Sequence, residues 1–233
     1  MRAMRRARTG RSSPGSWWRG APPWPLRSAQ AAIFWFGRFS PRRPPTASKC
    51  RAPPPESLPT IIDVINAGAR VINLSVALQG PSPEGGGSLQ QALDFALRRG
   101  VVVVAAAGNQ GTVGGSVITR HPWVIPVVAY DRRGRPMDLS NFGASIGRCG
   151  LGAPGEAVTS LGATATPLTL GGTSAGTPFV SGAVALTWSE FPGARAAEVR
   201  SAVTQAAAPR RTAIVPPLLN AWASYQAMSK ARS

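Results

Sequence analysis

The chain has 233 residues, 43% of them hydrophobic, and a formal net charge of +17. This length is sufficient for one domain with a buried core. No apolar run reaches the roughly eighteen residues of a membrane-spanning helix, so we expect no membrane partner. One histidine and two distant cysteines cannot form a typical His- or Cys-based metal site, and we expect no such metal and no cofactor, with calcium binding left open.

The positive charge is concentrated near the N-terminus. Residues 1–55 contain 12 basic and no acidic residues (12 − 0 = +12), whereas residues 56–233 contain 14 basic and 9 acidic residues (14 − 9 = +5). Because most of the excess lies outside the region with a periodic hydrophobic pattern, we expect no nucleic-acid partner for the folded part.

Residues 1–57 are rich in Arg, Pro and Trp and show no sustained helical or strand period, which predicts a disordered basic segment. Three origins are open for this segment. The first is translation from a wrong reading frame, since GC-rich DNA read in a wrong frame would give this composition. The second is an Arg-rich transit peptide, and the third is a basic arm that binds nucleic acid. No convincing secretory signal is visible, so the localisation is left open.

From residue 58 the hydrophobic pattern alternates between helices and strands. The segment 101–107 is apolar without alternation, which indicates a strand covered on both faces. A capping-box pair, Ser88 and Gln91, predicts the start of a helix that ends at Gly100. The remaining predicted elements are a helix from Leu58 to Ile65, strands at 71–76 and 124–130, and helices at 173–189, 194–207 and 218–228. This alternation predicts an α/β domain over residues 58–233, with a parallel sheet flanked by helices.

The segment Gly171–Gly182 reads Gly-Gly-Thr-Ser-Ala-Gly-Thr-Pro-Phe-Val-Ser-Gly. It predicts a serine, Ser174, at the start of a buried helix, where free backbone N–H groups and the helix dipole favour negative charge. Pro178 is expected in the first turn, where its missing N–H costs nothing. Upstream, the apolar strand 101–107 leads directly into Gly108 and Asn109.

These two motifs, in this order, resemble those of the subtilisin-like serine peptidases, the subtilase family. The match to the family pattern G-T-S-x-A-x-P-H-V-x-G is imperfect, since Phe179 stands where the family has histidine. The resemblance implies that Ser174 is the nucleophile, that Asn109 donates to the oxyanion, and that the substrates are polypeptides. It also implies a subtilisin-like α/β fold, here lacking the N-terminal strands. The substrate cleft would be lined by Ser75, Val76 and Ala77 on one wall and by Ala106, Ala107 and Gly108 on the other.

The same family uses an aspartate and a histidine upstream of the oxyanion asparagine, and neither of their motifs is present. The single histidine, His121, lies downstream of Asn109 and is a poor candidate for the base. A serine hydroxyl without a base is a weak nucleophile. We therefore expect a serine endopeptidase by family whose present chain is truncated and inactive. The alternatives are a non-catalytic, peptide-binding pseudopeptidase and a nucleic-acid-associated protein that uses the basic arm.

The missing strands also have a consequence for folding. Without them, the apolar strand 71–76 would be an unpaired sheet edge, which is a site for aggregation. We therefore expect the chain to be poorly soluble.

Overall fold

A computed structural model describes residues 32–35, 57–75, 86–161, 166–206 and 214–231, with only the backbone given at 32–35, 57–60 and 86. Its centre is a parallel sheet of five strands in the order β1-β2-β3-β4-β5. These strands are β1 (Ala32–Trp35), β2 (Val71–Leu74), β3 (Val102–Ala106), β4 (Ile125–Tyr130) and β5 (Leu151–Pro154).

Helices connect the strands and continue after them, as the predicted α/β fold requires. They are α1 (Ser57–Asn66), α2 (Gly86–Arg99), α3 (Val117–Arg120), α4 (Ala144–Cys149), α5 (Thr173–Glu190), α6 (Ala196–Gln205) and α7 (Ala221–Lys230). A separate antiparallel ribbon pairs β6 (Val158–Leu161) with β7 (Pro167–Leu170). In the described ranges, no helix is both long and apolar enough to cross a bilayer.

The central strand β3 is buried on both faces, which explains why its sequence lacks an alternating pattern. Along β3, Val102 and Val104 pack with residues of α5 and α6, while Val103 and Ala105 pack with residues of α1 and α2. All five residues of β3 are buried. The run 101–107 was therefore correctly interpreted as a strand covered from two sides.

The edge of β2 is not exposed as the sequence predicted. Residues 32–35 form β1, which pairs in parallel with β2 from Ala32 opposite Val71 to Trp35 opposite Leu74. The four residues of β1 are Ala-Ile-Phe-Trp, an apolar run too short to give a recognisable period inside an Arg- and Pro-rich segment. The prediction of an unpaired edge at β2 was wrong for this reason.

The predicted capping box of α2 is also wrong. The helix begins at Gly86, so Ser88 is its third residue and lies inside the helix instead of at its N-cap. Helix starts read from sequence are uncertain by a few residues, because a capping residue is recognised only by its polar side chain.

The outward face of α5 is apolar. Leu186 is 70% exposed and Phe179 is 43% exposed, with Gly182 between them on the same face. An exposed apolar stripe promotes association. We predict that Leu186→Gln raises the fraction of protein that stays in the supernatant after centrifugation, with no loss of thermal stability. The matched change at a buried position of the same helix, Val184→Gln, should lower both the soluble fraction and the thermal stability. An unchanged soluble fraction for Leu186→Gln would contradict the role of the exposed face of α5 in association.

Asp131 closes the turn that follows β4. Its carboxylate accepts hydrogen bonds from the backbone N–H groups of Arg133 (2.8 Å) and Arg135 (2.9 Å) and from the Arg135 guanidinium. The backbone hydrogen bond from Arg135, with the other contacts to Arg135 and Arg133, lowers the pKa of Asp131 below its usual value.

A group whose pKa is lower in the folded state stabilises the protein above its unfolded pKa, about 3.9 for aspartate, and loses that contribution as the pH falls through the folded value. We predict that Asp131→Asn lowers the melting temperature at pH 7 and that this difference shrinks below about pH 4. Asp138→Asn, at an exposed position of the same loop, is the control. A difference that did not change with pH would contradict the role of the carboxylate.

Candidate active site

Two of the predicted site residues, Ser75 and Asn109, lie just after the carboxyl ends of two neighbouring strands. Ser75 directly follows β2, and Asn109 lies three residues after β3, which pairs with β2. Ser174 is the second residue of α5, which packs across the sheet. The carboxyl edge of a parallel sheet is where such folds place their ligands.

Ser174 and Ser75 are joined by two reciprocal hydrogen bonds between hydroxyl and carbonyl groups. The Ser174 hydroxyl donates to the Ser75 carbonyl oxygen at 3.0 Å, and the Ser75 hydroxyl donates to the Ser174 carbonyl oxygen at 3.2 Å. Pro178 explains why the Ser174 carbonyl is available. It is the sixth residue of α5, not a first-turn residue as predicted, and it has no N–H to give to the carbonyl four residues earlier. The Ser75 hydroxyl takes the place of that missing donor.

Asn109 is fixed by the residue before Ser174. Its Oδ1 atom accepts hydrogen bonds from the backbone N–H of Thr173 at 2.9 Å and from the Thr173 hydroxyl at 3.0 Å. With Oδ1 occupied, the orientation of the amide is determined. In the described part of the chain the Nδ2 group makes no hydrogen bond, so it is available to a ligand.

Gly172 is required for this contact. Its φ angle is +92°, a left-handed conformation that side chains rarely adopt, and it caps the N-terminus of α5. A Cβ atom at this position would lie 2.8 Å from Nδ2 and 2.9 Å from Oδ1 of Asn109. The glycine therefore permits α5 to begin directly against the asparagine.

Two buried polar side chains, Asn73 and Ser181, form a set of hydrogen bonds that ends at the Ser75 hydroxyl. This set was not predicted from the sequence. The Ser181 hydroxyl donates to Oδ1 of Asn73 at 2.8 Å, and Nδ2 of Asn73 donates to the Ser75 hydroxyl at 2.8 Å. Asn73 and Ser181 are each 2% exposed. A buried polar group needs a partner, so an asparagine within the apolar strand 71–76 was the signal that could have revealed the set.

His121 is directed away from Ser174. Its Nδ1 atom accepts a hydrogen bond from the Trp123 backbone N–H at 3.2 Å, so Nε2 carries the proton and donates to Oδ1 of Asp94 at 3.1 Å. Asp94 belongs to α2, which covers the opposite face of the sheet from α5. Among the described residues, neither an imidazole nor a carboxylate contacts the Ser174 hydroxyl.

A comparison with known protein families identifies the family to which the chain belongs. The model of the subtilase family matches residues 49–223. The chain belongs to the subtilase family. As a subtilase, it belongs to the family of subtilisin-like serine peptidases.

Curated relatives match this subtilase over part of their length. Subtilisin DY from Bacillus licheniformis is 40% identical over 144 residues, covering 60% of this chain and 50% of the relative. Thermitase from Thermoactinomyces vulgaris is 34% identical over 140 residues, covering 60% of this chain and 47% of the relative. The chain thus spans about half the length of the curated relatives it matches.

Solved structures of proteases share the fold of this subtilase. The patellamide maturation protease PatA superposes with a TM-score of 0.69 at 32% identity, over 76% of this chain and 69% of PatA. The prenylagaramide maturation protease PagA superposes with a TM-score of 0.67 at 27% identity, over 74% of this chain and 66% of PagA. These similarities confirm the predicted fold class.

The two predicted walls of the substrate cleft are only partly described. Ser75 is half-buried at the site, while Val76 and Ala77 lie outside the described residues. On the other wall, the Gly108 backbone N–H donates to the Thr173 hydroxyl at 3.3 Å. Ala106 and Ala107 are 2% and 5% exposed, so their side chains are core groups in this structure.

Within the described residues, no group of three or more histidine, cysteine or acidic side chains could hold a metal ion. The positive end of α5 and the Asn109 amide are groups that the site offers to a negative charge.

Proposed function

We propose that this chain provides the nucleophile and the oxyanion donor of a subtilisin-type serine endopeptidase site for polypeptide substrates, and that the chain alone does not hydrolyse peptide bonds. One observation carries the proposal. Thr173, the residue before Ser174, donates two hydrogen bonds to Oδ1 of Asn109, whereas the described residues supply no base to the Ser174 hydroxyl.

The proposed chemistry begins with attack of the Ser174 hydroxyl oxygen on the scissile carbonyl. The carbonyl oxygen gains negative charge as its carbon becomes tetrahedral, and this charge would accept hydrogen bonds from Nδ2 of Asn109 and from the Ser174 N–H. The first N–H groups of a helix have no intrahelical acceptor, so the second donor is available. In subtilisin, removal of the corresponding asparagine donor lowers kcat by about 10²–10³.

The attack also releases the hydroxyl proton, and among the described residues no base is in contact to accept it. The Ser174 hydroxyl donates its hydrogen bond to the Ser75 carbonyl oxygen, which is not a base at neutral pH. The serine therefore stays protonated and weakly nucleophilic. Subtilisin stripped of its triad retains only about 10³–10⁴ over the reaction in water, which most assays score as inactive.

A hydrolysis assay tests the proposal. The purified chain is incubated with fluorescently quenched casein and compared with Ser174→Ala and with a matched change on the exposed ribbon, Ser160→Ala. All three proteins should give the same background rate. Hydrolysis by the unmodified chain that Ser174→Ala abolishes and Ser160→Ala retains would show that a base acts on Ser174, and would overturn the inactivity.

The second candidate function is peptide binding without cleavage. It is favoured by the reciprocal hydrogen bonds of Ser174 and Ser75, which satisfy both hydroxyls in the absence of a base. In this case a labelled casein peptide should bind with saturable fluorescence anisotropy and remain intact for hours. A peptide that neither binds nor is cleaved would exclude this second function.

A further inference from the structure

A cavity rich in arginine lies at the opposite edge of the sheet from Ser174. Its volume is about 500 Å³, and it is lined by Arg70, Arg98, Arg99, Arg195 and Trp188, among others, with no acidic residue in its lining. Arg70 directly precedes β2, whereas Ser75 directly follows it. Five residues of extended chain separate these two positions by roughly 17 Å, so the cavity is distinct from the candidate active site.

The arginines come from three different parts of the fold. Arg70 lies in the connection between α1 and β2, Arg98 and Arg99 end α2, and Arg195 is the N-cap of α6. Basic residues at the end of a helix are common, since they stabilise its negative pole, and this accounts for Arg98 and Arg99 taken alone. It does not account for Arg70 and Arg195, which converge on the same cavity from other elements.

Arg70 is held in place without a carboxylate. Its guanidinium stacks over the Trp188 ring at 3.8 Å from the ring centre, and Nη2 makes a long hydrogen bond of 3.5 Å to the Pro192 carbonyl. Burial lowers the pKa of the Arg70 guanidinium below its usual value. A planar, fixed and partly desolvated guanidinium is preorganised for an oxyanion, because little side-chain freedom remains to be lost on binding.

The charges at the cavity are only partly balanced. Glu198 pairs with Arg195 at 2.8 Å. In the described part of the chain, Arg70, Arg98 and Arg99 form no salt bridge. Like charges gathered around one cavity repel each other, and a bound anion removes that repulsion.

We propose that this cavity binds a small molecule that carries a phosphate or diphosphate group. Arginine forks match the oxygen pairs of phosphate groups, and every basic residue of the lining is arginine. The volume falls within the range of small-molecule sites, about 300–1,000 Å³. The proposal does not depend on the peptidase assignment.

Titration calorimetry with inorganic pyrophosphate tests the site at constant ionic strength. The full chain should bind one pyrophosphate, and Arg70→Gln should raise the Kd about tenfold or more, since it removes a charge-assisted hydrogen bond. The double change Arg98→Gln with Arg99→Gln should weaken binding similarly. It keeps the Arg70–Trp188 stack and therefore tests the site even if Arg70→Gln fails to fold.

The matched control is Arg132→Gln with Arg133→Gln, which removes two exposed arginines elsewhere on the surface. This variant should bind pyrophosphate as the unmodified chain does. Equal loss of binding in the control would show a general charge effect and overturn the site. Absence of binding, or binding unaffected by the changes at Arg70, Arg98 and Arg99, would overturn it as well.

Discussion

Replacing Leu93 by alanine should lower the free energy of unfolding by about 2–5 kcal/mol. Leu93 is 0% exposed and belongs to the apolar cluster that packs α1 and α2 against the sheet. The change removes the transfer free energy of the lost atoms and leaves a cavity that the surrounding residues fill only partly. A domain of this kind is stabilised by about 5–15 kcal/mol in total, so the loss should be visible as a large shift of the urea midpoint.

The same helix supplies the control. Leu97 lies one turn after Leu93 and is 41% exposed. Leu97→Ala changes helix propensity by the same amount but removes little burial, so its effect should stay within about 1 kcal/mol. Similar losses for Leu93→Ala and Leu97→Ala would contradict the position of α2 on the sheet.

Replacing Gly172 by alanine should destabilise the fold by about 1–3 kcal/mol through backbone strain alone. The φ angle of +92° is unfavourable for alanine, and the new methyl group would meet the Asn109 amide at less than van der Waals distance. The beginning of α5 would have to move away from Asn109 to relieve the overlap. The change therefore couples the stability of the fold to the geometry of the candidate active site.

Gly182→Ala is the matched control for Gly172→Ala in the same helix. Gly182 lies inside α5, and a Cβ atom added there meets nothing within 4 Å. Alanine in a helix interior is favoured over glycine by about 1 kcal/mol, so Gly182→Ala should be neutral or stabilising in urea unfolding. Equal stability of the two variants would show that α5 does not begin as described.

The long apolar elements could be predicted from the sequence because burial imposes their pattern. The strand predicted at 101–107 is β3 at Val102–Ala106, and the helix predicted at 173–189 is α5 at Thr173–Glu190. Short elements were missed, since four residues such as those of β1 and of the β6–β7 ribbon contain too few positions to show a period. Helix starts were misplaced where a polar residue lay near them, as Ser88 did in α2.

The candidate site was accessible from the sequence only where its residues form local motifs. Ser174 and Asn109 each lie in a recognisable motif. In the structure Asn109 is hydrogen-bonded to Thr173, the residue that precedes Ser174. The pairing of Asn73 with Ser181 joins residues 108 positions apart, and no local pattern predicts such a contact. The same applies to the use of the Ser75 hydroxyl as the donor that Pro178 lacks.

The cavity of arginines shows the same limit. The helix predicted to end at Gly100 is α2, and Arg98 and Arg99 lie in its last turn. Their convergence with Arg70 and Arg195 depends on how β2, α2 and α6 pack, which is a property of the tertiary fold.

Labelling with a fluorophosphonate probe tests most directly whether Ser174 is positioned but not activated. A sample that has first been tested for cooperative unfolding is treated alongside Ser174→Ala and a complete subtilisin, and the modified residue is identified by mass spectrometry. We predict no modification of Ser174 under conditions that label subtilisin completely. Modification of Ser174 that Ser174→Ala abolishes would contradict it, because a base would then be acting on this serine.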